Sequence, residues 1–165
     1  MHKNNNFNIT KMLGHKPTAA AVIHGSNQFP DINGLVKFYQ TTKGVVIVTE
    51  IIGLPTSEGN CSSPIFAFHI HEGDSCTGDL ADPFANTLSH FNPYDCPHPY
   101  HAGDMPPLFG VNGSAFSAFL TDRITVKEII GRTVIIHRSL DDFTTQPSGN
   151  AGTKMACGVI VQVRR

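Results

Sequence analysis

The sequence predicts an all-β domain: an antiparallel Greek-key β-sandwich or flattened barrel carrying two long functional loops. Three observations predict it. Short runs rich in β-branched residues alternate between apolar and polar positions. No segment sustains a helical period. Fifteen glycines and 11 prolines among 165 residues supply the turns between the runs. A chain of this length is enough for one domain with its own core.

The alternation places strands near residues 19–24, 34–40, 44–52, 65–71, 114–120, 132–137 and 155–163. The connectors Phe-Pro-Asp-Ile-Asn-Gly, Gly-Leu-Pro-Thr-Ser-Glu-Gly-Asn and Val-Asn-Gly-Ser carry turn chemistry. A short helical turn fits Thr125–Ile129. Two connections far exceed the usual few residues: 72–113 and 138–154. Long loops on a rigid scaffold are where function concentrates. Residues 1–17 read as a polar arm, a candidate for disorder, and residues 18–165 as the single domain; neither an internal repeat nor a second domain is visible.

Lys and Arg number 12 against 13 Asp and Glu, and charged residues make up 15% of the chain. That balance gives no electrostatic footprint for nucleic acid. No stretch approaches the roughly 20 apolar residues of a membrane span. The first residues lack the continuous apolar run of a secretory signal, which favours a cytoplasmic protein. Four cysteines favour an oxidising setting instead.

The chemistry concentrates in histidines. In Ile-Phe-Ala-Phe-His-Ile-His (65–71) a strand would send Phe66, Phe68 and Ile70 into the core and His69 and His71 together from the other face. Two imidazoles on one rigid strand form half of a square-planar nitrogen site, a geometry that suits Cu(II). In the 72–113 loop, His90, His98, His101 and Asp104 fall within 15 positions. Three imidazoles and a carboxylate make a closed tetrahedral set for zinc. Such a proline- and glycine-rich loop has little apolar content to fold around, and a metal would supply the missing stabilisation. His137 ends the run Arg-Thr-Val-Ile-Ile-His.

From about Ala20 onward the chain resembles the copper–zinc superoxide dismutase family, and bacterial members most closely. The motifs that carry the resemblance occur in order: Phe-His-Ile-His-Glu (68–72), His-Phe-Asn-Pro (90–93), His-Ala-Gly-Asp (101–104), Ile-Ile-Gly-Arg-Thr-Val-Ile-Ile-His (129–137), Asp-Asp-Phe (141–143) and Gly-Asn-Ala-Gly-Thr-Lys-Met-Ala-Cys-Gly-Val-Ile (149–160). The resemblance implies copper held by His69, His71, His90 and His137, and zinc held by His90, His98, His101 and Asp104. His90 would then bridge the two metals. The activity implied is dismutation of the superoxide anion to dioxygen and hydrogen peroxide. A homodimer is a further implied partner state, since family members pair through different surfaces.

The same resemblance assigns the remaining roles. Asp141 would accept hydrogen bonds from His69 and His98 and so orient one ligand of each metal. Lys154 stands where the family usually has an arginine that draws superoxide in. It keeps the charge and loses the planar fork. The loop from Asp141 to Gly152 has no charge beyond the two aspartates at its start, so steering would rest on Lys154. Ser148 would line the same channel, where the family often has a threonine. Cys76 would pair with Cys157 and anchor the metal loop to the last strand. Cys61 and Cys96 are left as a second disulfide, a free pair or, for Cys96, a zinc ligand. A rival reading keeps the fold and both metals but removes turnover: a protein that stores or delivers copper or zinc. A mononuclear zinc hydrolase needs an open zinc position, which the zinc set does not leave.

Overall fold

The computed structural model describes residues 14–57, 59 and 64–164. Nine strands form: β1 (Ala19–Gly25), β2 (Asn33–Thr41), β3 (Gly44–Ile52), β4 (Ile65–Phe66), β5 (Phe68–His71), β6 (Leu108–Phe109), β7 (Ser114–Thr121), β8 (Thr133–His137) and β9 (Lys154–Gln162). Besides a 3-10 turn at Ala85–Thr87, one turn of α-helix, α1 (Val126–Ile129), opens with the capping box of Thr125 and Glu128, whose carboxylate accepts from the Thr125 N–H at 2.7 Å. Of the arm read at 1–17, residues 14–17 lead into β1 without regular structure, and residues 1–13 lie outside the described residues, as does Cys61.

Seven strands make one antiparallel sheet in the order β5-β8-β9-β1-β2-β3-β7, and β4 pairs with β6 in a second, two-stranded ladder. The expected strand over 65–71 is therefore two strands. At Ala67 the chain changes partner, from β6 to β8. β6 carries no alternation signal, being only two residues long just after Pro106-Pro107. Its ladder joins the two edges of the curled sheet, because β4 runs into β5 and β6 leads through a turn into β7. Closure of this kind leaves fewer open strand edges.

Alternate side chains of the strands fill one core. Phe66, Phe68 and Ile70 lie in it with Ile23, Phe38, Ile47, Val134, Ile136 and Ile160. Each such side chain stabilises by roughly 1.5–3 kcal/mol when fully buried. The strands differ in what covers their outer face. β7 alternates between exposed and covered positions, whereas every residue of β5 and β8 is buried. Loops 72–107 and 138–153 lie over β5 and β8, and the histidines sit in the layer between sheet and loops.

A β-bulge decides what β9 contributes to that layer. Ile136 opposes Ala156, but His137 opposes Lys154, so Met155 is an extra residue in the ladder. Met155 and Ala156 both face the core. With strict two-residue alternation Lys154 would follow Ala156 inward. The bulge turns it outward, beside His137.

Candidate metal centre

β5 places His69 and His71 on its outer face, and the open edge of β5 is used by the loop. The Ile70 N–H donates to Gly103 O at 2.9 Å, Ile70 O accepts from the Phe91 N–H at 2.8 Å, and the Gly103 N–H donates to Phe91 O at 2.8 Å. These bonds set His90 opposite His71 and Asp104 opposite His69. Gly103 must be glycine for this approach, since a Cβ there would stand 2.2 Å from Ile70 O. Asn92 holds the following turn by bonding the backbone of Cys96 in both directions, at 2.9 and 3.0 Å. Gln146, from the other long loop, pairs in the same two-way manner with the backbone of His98, at 3.0 and 2.7 Å.

The result is two groups of four donors that share His90: His69, His71, His90 and His137, then His90, His98, His101 and Asp104. Within each group the donor atoms lie within 4.8 Å of one another, and all of these residues are buried. His90 and His101 bring their Nδ1 atoms to 3.4 Å, and His98 Nδ1 lies 3.1 Å from Asp104 Oδ2. Four donors at about 2.0–2.1 Å from a tetrahedral zinc stand about 3.3 Å apart.

The hydrogen bonds at the far side of each ring fix which nitrogen is free. His71 Nδ1 donates to Leu88 O at 2.9 Å and His137 Nδ1 to Gly152 O at 3.2 Å. A carbonyl can only accept, so the proton sits on Nδ1 in both rings. Their Nε2 atoms then carry lone pairs, yet face each other at 3.3 Å. Two lone pairs at that distance need a cation between them. His69 Nδ1, His90 Nε2 and His98 Nδ1 are buried with no hydrogen-bond partner, which is costly unless a metal takes them. The donor set therefore fits two metal ions.

Asp141 ties the two groups together. Its Oδ2 accepts from His69 Nε2 at 2.7 Å and its Oδ1 from His98 Nε2 at 2.9 Å. The Phe143 N–H adds a bond to Oδ1 at 2.8 Å. Burial alone would raise the carboxyl pKa, but these donors outweigh it and hold it at about 2. Gly149 lies against this triad with φ +67°, and a Cβ would stand 2.0 Å from Asp141 Oδ1. Burial, aided by neighbouring imidazoles, pushes His71 well below the usual histidine range and His137 to about 3. Burial also lowers His69 and His101. Neutral rings are the form that binds metal.

The centre opens on one side. A cavity of about 460 Å³ is lined by His71, His90, His101, His137, Ser148 and Lys154, among others. Lys154 thus reaches the expected mouth, but its ammonium donates to Asp82 Oδ2 at 2.8 Å and to Phe84 O at 3.1 Å. The cysteines form a Cys76–Cys157 disulfide, 81 residues apart in sequence, packed against Phe84 and Ile135. Cys96 is a free, half-buried thiol outside both donor groups.

Some of this machinery left no mark in the sequence reading. Gln146, Asp82 and the carbonyls of Leu88 and Gly152 are generic loop groups until the fold brings them to the histidines. Leu88 has φ 59°, a conformation that costs a residue with a side chain roughly 1–3 kcal/mol, and its carbonyl meets His71. Gly149 lies within a quoted motif, but its contact with Asp141 has no local signal.

Fold and site together define a β-barrel metalloprotein with two adjoining nitrogen-rich centres that share one imidazole. The family model described as copper/zinc superoxide dismutase (SODC) matches residues 32–160. This chain belongs to that family, whose metals are copper and zinc, and its two donor groups are of a kind that could hold metal ions. It is 36% identical over 156 residues to superoxide dismutase [Cu-Zn] A of Xenopus laevis, an alignment covering 86% of this chain and 95% of that protein. It is 32% identical over 145 residues to superoxide dismutase [Cu-Zn] 2 of Aquifex aeolicus, covering 79% of this chain and 80% of that one. Among solved structures, a double mutant of a SOD-like protein from Bacillus subtilis superposes with a TM-score of 0.69 at 25% identity, covering 86% of this chain and 96% of that chain.

Proposed function

We propose that the protein dismutates superoxide, with copper on His69, His71, His90 and His137 and zinc on His90, His98, His101 and Asp104. One observation carries the reading: His90 is common to both donor groups, its Nδ1 beside Asp104 and His101 and its Nε2 buried without a hydrogen-bond partner, and the cavity reaches this ring. When bound, copper supplies the one-electron chemistry, oxidising one superoxide to dioxygen and reducing a second to hydrogen peroxide. His90 Nε2 would hold one proton and hand it to the superoxide that leaves as peroxide; the other proton would come from solvent through the cavity. His90 Nδ1 stays with the zinc donors throughout, which keeps the ring in place. Asp141 orients His69 and His98 through their far nitrogens. Lys154 supplies positive charge at the mouth. The disulfide suits an oxidising compartment, and extracellular forms occur among the relatives, in Brugia pahangi and Mus musculus.

The test combines metal analysis with a superoxide-removal assay. The expected result is one copper and one zinc per chain with turnover. Full metal content without turnover would favour a storage or delivery protein. His90→Ala is expected to abolish dismutation and to weaken both metals together. A variant with full zinc and unchanged activity overturns the bridging role.

A further inference from the structure

Apart from the histidines, the charged residues lining the cavity are Lys154 and Glu72. For an anionic substrate the lysine is the attractive group and the glutamate a repulsive one. The lysine is not free. Asp82 accepts from its ammonium with Oδ2 at 2.8 Å, while its Oδ1 accepts from the Phe84 N–H at 3.0 Å. Asp82 is itself set in place by a turn, its N–H donating to Asp79 Oδ1 at 2.9 Å. Phe84 packs against the cysteine pair, so the carboxylate is mounted on the disulfide-anchored part of the loop. The Lys154 side chain is 15% exposed and that of Asp82 41%, so the ammonium is sheltered while its carboxylate partner faces solvent.

We infer that Asp82 is a positioning residue that throttles anion capture: it holds the Lys154 ammonium and cancels much of its field at the cavity mouth. The inference rests on the proposed reaction for its physiological meaning. It concerns the mouth rather than the metals, and it assigns the weak charge of this entrance to a particular carboxylate. The lining then offers one cation, already paired with a carboxylate behind it, against the carboxylate of Glu72.

The test is Asp82→Asn, which removes the charge: its one oxygen can go on accepting from the Phe84 N–H, and its amide NH2, a donor, no longer holds the Lys154 ammonium. Two quantities are read in copper- and zinc-loaded protein of verified metal content. One is the dissociation constant of azide, an anion probe, followed in the optical spectrum of the copper. The other is kcat/KM for superoxide across a salt series. At low ionic strength the variant is expected to bind azide more tightly and to react faster, each by about two- to ten-fold, at the low end of charge steering. The advantage fades as salt rises. Asp82→Glu returns both quantities toward wild type, and the gain from Asp82→Asn shrinks in a Lys154→Ala background. Unchanged or weaker azide binding with an unchanged salt slope overturns the inference. A wild-type protein that shows no turnover while azide responds as expected overturns the proposed reaction and leaves the inference standing.

Discussion

Asp141 shows how much one side chain does here without touching a metal. Its two oxygens each take a hydrogen bond from a histidine of a different donor group. Asp141→Asn would present a carbonyl oxygen to one ring and an amide N–H to the other, and a donor facing a donor pushes one ring out of place. Loss of such an orienting partner typically weakens metal affinity about 10–100-fold. Competition with a chelator is the measurement, with the metal of the displaced ring lost first; retention of both metals at wild-type affinity would show that packing alone orients the rings. The seven donors were legible in the sequence because their types and spacing are themselves chemical signals. Asp82 and Gln146 were not, because an aspartate or glutamine in a loop has many uses and only the fold selects one.

At the scale of elements, the disulfide and the bulge divide the work on β9. Cys157 joins β9 to the metal loop, and closing a loop of 81 residues stabilises by up to about 4.5 kcal/mol on the chain-entropy estimate. Cys76→Ser is expected to lower the melting temperature and, on the proposed assignment, to speed zinc loss to a chelator, because the bridge tethers the loop that carries His90, His98, His101 and Asp104. An unchanged melting temperature would show that the loop is held by its contacts with β5 alone. The main strands were legible from alternation, which reports one apolar face. The break at Ala67 was not, because Ala67 continues an apolar run while the chain exchanges one hydrogen-bonding partner for another. β6 escaped because two residues carry no period.

Across the whole molecule, the buried histidines make the metal-free protein sensitive to acid. His137 has a pKa of about 3 in the folded state, mainly through burial, against about 6.5 when unfolded. Between those values the unfolded chain binds a proton that the folded chain does not, so stability falls as pH drops from 6.5 through about 3. His71 acts in the same direction. Asp141 adds stability above its unfolded value of 3.8 that is lost as pH falls toward about 2. The urea midpoint of metal-free protein is therefore expected to be lower at pH 5 than at pH 7.5. Equal midpoints would mean that the histidine layer opens to solvent without metal. Metal binding opposes this loss, because ligands that bind only the folded state raise its stability.

The extra residue in β9 has a consequence of a different kind. Whether a cation stands at the cavity mouth depends on how the ladder takes up the two residues between Cys157 and Lys154: regular alternation would send the lysine to the core side, and the bulge returns it to the outer side. Met155 is the residue that the bulge accommodates, and its own side chain lies in the core. Exchanging it for another apolar residue alters packing and leaves the count intact. The approach route is thus written partly in a backbone irregularity rather than in any one side chain, and scanning by substitution would pass over it.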